Sequence, residues 1–143
     1  MFIGEYEHNL DEKGRLAIPA KFRSELQGGL VVTHGLDNCL FVYSLEAWKE
    51  LAKKLATMSF TQKDKRAFNR LMFAGATDFI PDAQGRIVLP ESLRKYAGLS
   101  KEAVITGVYD RLEIWNKASW EKYRADLEST GDEIAERLGE IQI

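Results

Sequence analysis

An internal repeat dominates the sequence. Residues 11–23 read DEKGRLAIPAKFR and residues 82–94 read DAQGRIVLPESLR, so Asp, Gly, Arg, Pro and a final Arg occur at the same places in both. Because such matches keep their order over nearly fifty residues, we interpret the chain as a tandem duplication of one unit. At the same offset, Phe2 matches Phe73 and Gly4 matches Gly75. With one inserted residue, Gly35 matches Gly107, Leu40 matches Leu112 and Trp48 matches Trp120.

Each copy shows the same succession of predicted elements: strand, tight turn, strand, short helix, hairpin and longer helix. Pro19 and Pro90 mark the change from strand to short helix, because proline suits the first turn of a helix and not a strand interior. Ser44 and Asn116 occupy equivalent positions and are predicted to cap the longer helices. The β-prone runs are 15–18, 30–33 and 40–43 in the first copy and 86–89, 103–106 and 112–115 in the second.

A further helix is predicted between the copies. The segment 61–64, Thr-Gln-Lys-Asp, resembles a capping box and predicts a helix that runs to about Met72. Near the end of the chain, Ile134, Leu138 and Ile141 stand among acidic residues and indicate either a terminal amphipathic helix or a frayed end. Four aromatic residues have core-facing spacing and are interpreted as packing residues, with a subunit interface as the alternative: Trp48, Phe68, Trp115 and Trp120.

The duplication constrains the architecture. A unit of about seventy residues seldom obtains more than ~3–5 kcal/mol of stability from its own core. We therefore expect the two copies to interleave their strands around a shared core with pseudo-twofold symmetry, in an α+β, β-rich fold. This arrangement would place Arg15 and Arg86 in equivalent surroundings on one platform.

The motif Asp-x-x-Gly-Arg, present once in each copy, is the sharpest functional feature. Gly14 and Gly85 can take the positive φ that a tight turn between strands often requires. Asp11 and Asp82 can accept hydrogen bonds from turn amides, or pair with the arginine four positions later. The alternative is an ordinary hairpin turn with a surface ion pair, which would account for the glycine and the aspartate but not for the arginine.

The arginines of the motif have the chemistry of nucleic-acid recognition. Arg15 and Arg86 can offer a planar fork to a phosphate or to the edge of guanine, and a two-stranded β element fits the major groove of DNA. Lys13 adds a charge beside Arg15, whereas Gln84 stands at the equivalent place in the second copy. Four further basic residues follow the prolines and are either solvated helix surface or secondary phosphate contacts: Lys21, Arg23, Arg94 and Lys95.

The formal net charge of −2 is unusual for a DNA-binding protein. Residues 124–143 contain six acidic residues against Arg124 and Arg137, which leaves a net charge of +2 for residues 1–123. DNA binding must therefore depend on local placement of arginines or on several copies acting together. The lone Cys39, the lack of a long apolar run and the absence of Lys and Arg from residues 1–9 predict a cytoplasmic protein without a membrane partner.

Other kinds of site find little support in the sequence. His8 and His34 are far apart and have no Cys or carboxylate at ligand spacing, so we expect no metal site. Cys39 precedes a predicted strand and is interpreted as a small buried residue. We expect no cofactor or small-molecule ligand and no enzymatic activity, because no phosphate-cradling loop, nucleophile elbow or paired carboxylates with a nearby base is recognisable.

The two blocks of the form Asp-x-x-Gly-Arg-Leu/Ile-x-Ile/Leu-Pro-x-x-Phe/Leu-Arg resemble the SpoVT–AbrB swapped-hairpin DNA-binding family, and the resemblance extends from Met1 to about Trp120. The family's Asp-x-x-x-Arg signature maps onto Asp11 with Arg15 and onto Asp82 with Arg86. The resemblance implies intertwined hairpins in a β-barrel-like core with flanking helices.

The same resemblance implies a function. It points to a ring-like homo-oligomer on the nucleoid that binds double-stranded DNA and regulates transcription. The implied target is a set of short direct repeats in the promoter of the division and cell-wall gene cluster, including the promoter of the protein's own gene. The alternative is a protein-interaction module of the same fold, either antitoxin-like or a scaffold. The expected units are 5–47 and 76–119, with a helical connector at 48–75 and a C-terminal helix and acidic tail at 120–143.

Overall fold

The computed structural model of the chain describes residues 1–139. The order of strands and helices expected for each copy is confirmed. In the first copy the elements are β1 (Phe2–Asn9), β2 (Arg15–Ala17), a 3-10 turn (Ala20–Phe22), α1 (Arg23–Leu26), β3 (Leu30–His34), β4 (Leu40–Ser44) and α2 (Leu45–Ala56). After α3 (Lys63–Asn69) and a π-helical turn (Arg70–Ala74), the second copy contains β5 (Thr77–Phe79), β6 (Arg86–Val88), α4 (Glu91–Tyr96), β7 (Glu102–Tyr109), β8 (Leu112–Asn116) and α5 (Lys117–Leu138).

The strands form two antiparallel sheets, and both sheets combine the two copies. The larger sheet has the order β1-β7-β8-β4-β3-β5, and the smaller one pairs β2 with β6. The equivalent strands are β1 and β5, β2 and β6, β3 and β7, and β4 and β8. Exchanging each strand for its equivalent leaves the strand order unchanged, as a twofold relation between the copies requires. Neither copy therefore forms its sheet alone.

Two apolar clusters lie on opposite faces of the larger sheet. Leu40 and Val42 of β4 belong to the main core, whereas Phe41 and Tyr43, which alternate with them, belong to the second cluster. The main core also contains Leu16 and Ile87 of the small sheet. Helices α2, α3 and α5 contribute to the second cluster, which includes all four of the aromatic residues expected to pack: Trp48, Phe68, Trp115 and Trp120.

The two long helices begin where the sequence predicted. The hydroxyl of Ser44 accepts a hydrogen bond from the amide of Ala47 at 3.2 Å, and the Oδ1 atom of Asn116 accepts one from the amide of Ser119 at 2.9 Å. The second of these helices, α5, is a single helix of 22 residues that includes Ile134 and Leu138. The other residue of the predicted terminal helix, Ile141, lies outside the described residues. Within residues 1–139, no helix combines the length and apolar character that a membrane span needs.

The predicted capping box at residues 61–64 is wrong. Helix α3 starts at Lys63 with Gln62 at the N-cap position and no side-chain cap, because the hydroxyl of Thr61 is paired with that of Ser59 at 2.7 Å. At its other end the helix passes into the π-helical turn, whose carbonyls contact β3. The Thr33 hydroxyl donates to the carbonyl of Met72 at 2.7 Å.

Candidate nucleic-acid interface

The β2–β6 ribbon has one buried face and one face open to solvent. Leu16 pairs with Ile87 in the middle of the ribbon, and both side chains are almost completely buried. Arg15 pairs with Val88, and Ala17 pairs with Arg86. Because side chains alternate between the faces of a strand, these four residues share the opposite face. The arginines of the two motifs therefore stand diagonally on one surface, with their Cα atoms about 7–8 Å apart as is usual for this relation.

The aspartate of each motif binds both the turn and the arginine. Asp11 Oδ1 accepts hydrogen bonds from the amides of Lys13 and Arg15, both at 2.9 Å, and Asp11 Oδ2 accepts one from Arg15 Nε at 2.5 Å. Asp82 repeats the arrangement with the amides of Gln84 and Arg86 and with Arg86 Nε, all at 2.9 Å. Both kinds of contact that the sequence allowed for these aspartates are thus present in each copy.

The guanidinium groups keep their outer nitrogens for an external partner. Each arginine uses Nε to contact its aspartate, and 35% of each side chain is exposed. Among residues 1–139, neither Nη1 nor Nη2 of these two arginines donates to a protein acceptor. Fixing Nε orients the planar group without using its terminal fork, and this fork is the part that matches a phosphate or a guanine edge.

The turn amides set the charge state of the aspartates. The hydrogen bond from the backbone amide of Arg15 is the main cause that lowers the pKa of Asp11 below its usual 3.8, and the Arg15 side chain adds to it. The backbone amide of Arg86 lowers the pKa of Asp82 in the same way, again with a contribution from the arginine side chain. Both carboxylates are therefore ionised at neutral pH and able to hold the arginines.

The lowered pKa values predict how the turns respond to acid. A depressed carboxyl pKa stabilises the folded state above the unfolded pKa, and this stabilisation is lost as the pH falls through the folded pKa. We expect the melting temperature of the parent protein to exceed that of Asp11→Asn/Asp82→Asn at pH 7. The difference should shrink as the pH is lowered from about 4, where asparagine and protonated aspartate become alike. Thermal melts of both proteins between pH 2.5 and 7 measure this difference; a gap that is constant over the whole range would contradict the prediction.

Backbone hydrogen bonds also join each turn to the other copy. The carbonyl of Gly85 accepts a hydrogen bond from the amide of Ile18 at 2.8 Å, and the carbonyl of Gly14 accepts one from the amide of Leu89 at 2.9 Å. Both glycines have positive φ, at 79° for Gly14 and 74° for Gly85. Each turn is thus fixed by the residue that precedes the proline of the other copy.

Arg23 and Arg94 pack over these glycines. Arg23 Nε donates to the carbonyl of Ile18 at 2.8 Å, and a Cβ atom placed on Gly85 would lie only 2.3 Å from this Nε. Arg94 Nε donates to the carbonyl of Leu89 at 3.0 Å, and a Cβ atom on Gly14 would lie 2.9 Å from it. From the sequence, Arg23 and Arg94 are interpreted either as solvated helix surface or as secondary phosphate contacts. In the structure they are half-buried residues that support the turn of the opposite copy.

Of the other sequence candidates, the lysines are exposed and the lone cysteine is buried. Lys13 is exposed on the first turn, and Lys21 is exposed on the 3-10 turn with Nζ at 6.0 Å from the centre of the Phe22 ring. Cys39 is fully buried in the second cluster, and burial is the main cause that raises the pKa of its thiol to about 12. In the described part of the chain, no three His, Cys, Asp or Glu side chains are grouped so that they could hold a metal ion.

Comparison with known proteins finds the same two-copy organisation. The family model described as "MraZ protein, putative antitoxin-like" matches the chain twice, at residues 1–71 and 72–140. Proteins named "Transcriptional regulator MraZ" from Acetivibrio thermocellus and Alkaliphilus oremlandii are 50% and 52% identical to the chain over 143 residues. The one from Thermoanaerobacter pseudethanolicus is 51% identical over the same length. In all three cases the match covers 100% of both chains, so the similarity includes the acidic C-terminal region as well as the two motifs of the ribbon.

Proposed function

The chain belongs to the MraZ family, with two tandem copies of the MraZ unit, and we propose on this premise that it is a transcriptional regulator that binds double-stranded DNA. The relatives that define the family carry the name of regulators and not of enzymes, and we assign no catalytic role to any residue. The observation that carries the proposal is the placement of Arg15 and Arg86 on the open face of one ribbon. Each is oriented by its own aspartate and keeps its terminal nitrogens free.

In this proposal the ribbon enters the major groove. Arg15 and Arg86 contact guanine edges or phosphates, and Lys13 adds a phosphate contact. Asp11, Asp82, Gly14 and Gly85 fix the turns that carry them. Lys21, Arg23 and Arg94 are secondary phosphate contacts in this proposal, and Arg23 and Arg94 also support the turns. No metal or cofactor is needed for these contacts.

The fold supports the swapped-hairpin interpretation. The one strand pairing of the small sheet joins the two copies, and so do three of the pairings in the large sheet. Intertwined hairpins around a barrel-like core would produce this pattern. The proposed division is into units 5–47 and 76–119, a helical connector at 48–75 and a C-terminal helix with an acidic tail at 120–143. The connector then contains α2, α3 and the π-helical turn almost entirely.

We further propose several copies per DNA target. A chain with a net charge of −2 has little general attraction for DNA, so a homo-oligomer in which several ribbons engage successive sites gains affinity by linkage. Protomers related by rotation around a ring suit short direct repeats better than a palindrome. The proposed targets are such repeats upstream of the division and cell-wall gene cluster, including the gene's own promoter. The protein would act in the cytoplasm at the nucleoid.

A gel-shift experiment on the DNA upstream of the gene tests the proposal. At modest salt we expect the purified protein to retard this DNA at concentrations at least about 1000-fold lower than a shuffled duplex of equal length. The logarithm of affinity should fall with the logarithm of salt concentration with a slope of roughly −0.9 per phosphate contact, hence near −4 or steeper for five contacts or more. Equal retardation of both duplexes would contradict sequence-specific binding. Failure to retard either one would favour the protein-interaction module.

A further inference from the structure

Among residues 1–139, the side-chain hydrogen bonds and ion pairs that join helix α5 to the rest of the protein all come from its first two turns. Lys117 Nζ lies 3.3 Å from Glu7 and 3.2 Å from Glu102, the Trp120 indole donates to Glu5 at 2.7 Å, and Arg124 is ion-paired with the same carboxylate. After Arg124, the side-chain hydrogen bonds and ion pairs of the described residues stay within the helix: Arg124 with Glu128, and Ser129 and Thr130 with the carbonyl of Asp126.

The remainder of the helix, residues 126–138, is here called the distal segment. Its length is about 20 Å at 1.5 Å per residue, and none of its residues is buried. Isolated helices of this length are marginal in water, and Ser129, Thr130 and Gly131 are poor helix formers at its centre. Leu127, Ile134 and Leu138 recur at a spacing that places them along one side of the helix. A helix of this kind is stabilised when a partner covers that side.

The charges of the distal segment indicate what the partner is. The segment contains five acidic residues and Arg137, a net charge of −4. Such a segment is repelled by DNA phosphates and by a second distal segment. The surface of α2, α3 and the loop between them, residues 45–70, contains seven basic and three acidic residues and has a net charge of +4. The chain therefore carries two surfaces of matched and opposite charge.

The α2–α3 surface also presents an aromatic anchor. Phe60, in the loop between the two helices, is 79% exposed. The loop that carries it is fixed, because Arg66 Nη1 donates to the carbonyl of Phe60 at 2.9 Å and the hydroxyls of Ser59 and Thr61 are paired. A rigidly held, exposed aromatic residue amid lysines and arginines has the character of an interface hot spot. It fits an acidic helix with an aliphatic side.

We propose that the distal segment of one copy docks on the α2–α3 surface of a second copy, with Phe60 against the side of Leu127, Ile134 and Leu138. Because α5 continues without a break from Lys117 to Leu138 and no hydrogen bond or ion pair of the described residues joins the distal segment to residues 45–70, the contact we propose is made between copies and not within one. The contact joins two different surfaces, so it is head-to-tail and builds either a closed ring or an open filament. The inference rests on the proposed homo-oligomer and assigns the surfaces that form it.

Charge reversal tests the contact. Native mass spectrometry or light scattering at 150 mM salt should show an oligomer for the parent chain. Glu133→Lys/Glu136→Lys and Lys53→Glu/Lys63→Glu should each raise the dissociation constant of assembly at least tenfold. The matched control is Glu121→Lys, on the attached part of α5, which should assemble as the parent does. Phe60→Ala should weaken assembly without any change of charge.

Mixing the two reversed variants gives the decisive result. The first variant has a distal segment with a net charge of 0 and keeps the α2–α3 surface of +4, whereas the second keeps the distal segment of −4 and has an α2–α3 surface with a net charge of 0. In an equimolar mixture the unchanged distal segment of the second variant meets the unchanged surface of the first, and the reversed side chains of the two variants face each other in the other contact, so the mixture should restore the assembly. A monomeric parent chain, an unchanged assembly in either variant, or a mixture that stays dissociated would each overturn the proposal. Gel shifts keep it separate from the proposed DNA site, because the reversed variants should still bind a single repeat weakly. Loss of the ribbon arginines, in contrast, should abolish DNA binding in an intact oligomer.

Discussion

Replacing Arg15 and Arg86 together by alanine is expected to abolish specific binding of the upstream DNA, with a loss in affinity of more than 100-fold. A bidentate contact between arginine and guanine contributes about 1–3 kcal/mol of discrimination, so each single substitution should weaken binding by roughly 5- to 150-fold. Both groups lie on one face of the ribbon, and every bound copy contributes both. The losses should therefore combine in the double variant. Fluorescence anisotropy with labelled promoter DNA measures the change.

The melting temperature of the double variant shows whether its loss of DNA affinity is due to misfolding. Each arginine forms a half-exposed ion pair with its aspartate, and pairs of this kind contribute about 0–1 kcal/mol to folding. The two pairs together contribute at most about 2 kcal/mol, so the melting temperature of the double variant should stay within about 8 °C of the parent value. The lysine double variant, Arg15→Lys/Arg86→Lys, keeps the charges but not the planar forks. Its binding should be intermediate, with a salt dependence close to that of the parent.

Two outcomes would remove these arginines from the proposed role. One is a double alanine variant that binds with unchanged affinity and melts normally. The other is an equal loss of affinity in Lys122→Ala, which removes one positive charge from α5, far along the chain from either ribbon strand. The second outcome would mean that binding depends on total charge and not on the two motifs.

The sequence predicts well those features that depend on neighbouring residues. Caps at Ser44 and Asn116 form within three positions of each residue, and the pair of Asp11 with Arg15 spans four. Such contacts recur because the repeat reproduces the local sequence that makes them. The order of the elements follows for the same reason, since turn residues and apolar runs recur in both copies.

Contacts between distant residues could not be predicted in the same way. The packing of Arg23 over Gly85 depends on the pairing of β2 with β6, which no local pattern specifies. The final Arg of each repeated segment was the available signal, but a surface role explained it equally well. The capping box failed for a related reason: Ser59, which lies outside the motif, competes for the Thr61 hydroxyl. Likewise, the π-helical turn is hydrogen-bonded through the carbonyl of Met72 to Thr33, which lies about forty residues earlier in the chain.

Glycine is required at the turns for two reasons, the positive φ and the close packing of an arginine, and substitutions separate these two effects. Gly85→Ala is expected to lower the free energy of unfolding by about 3 kcal/mol. Positive φ costs an alanine about 1–2 kcal/mol, and forcing Arg23 away from Ile18 adds a further ~1–3 kcal/mol of overpacking. Gly98 is the matched control, because it also has positive φ, at 63°, but a Cβ atom there would meet nothing within 4 Å. Gly98→Ala should therefore cost only about 1–2 kcal/mol.

A double-mutant cycle identifies the role of Arg23. If its guanidinium is what excludes a side chain from Gly85, then Gly85→Ala should cost about 1 kcal/mol or more less in an Arg23→Ala background than in the parent. Urea denaturation of the four proteins measures this coupling. Additive costs would show that backbone strain alone requires glycine, and that Arg23 does not support the turn. Because the turn carries Arg86, the same cycle measured by DNA affinity should show coupling of the same sign. Arg23 would then act on DNA through the turn of the opposite copy, and the two motifs would work as one unit.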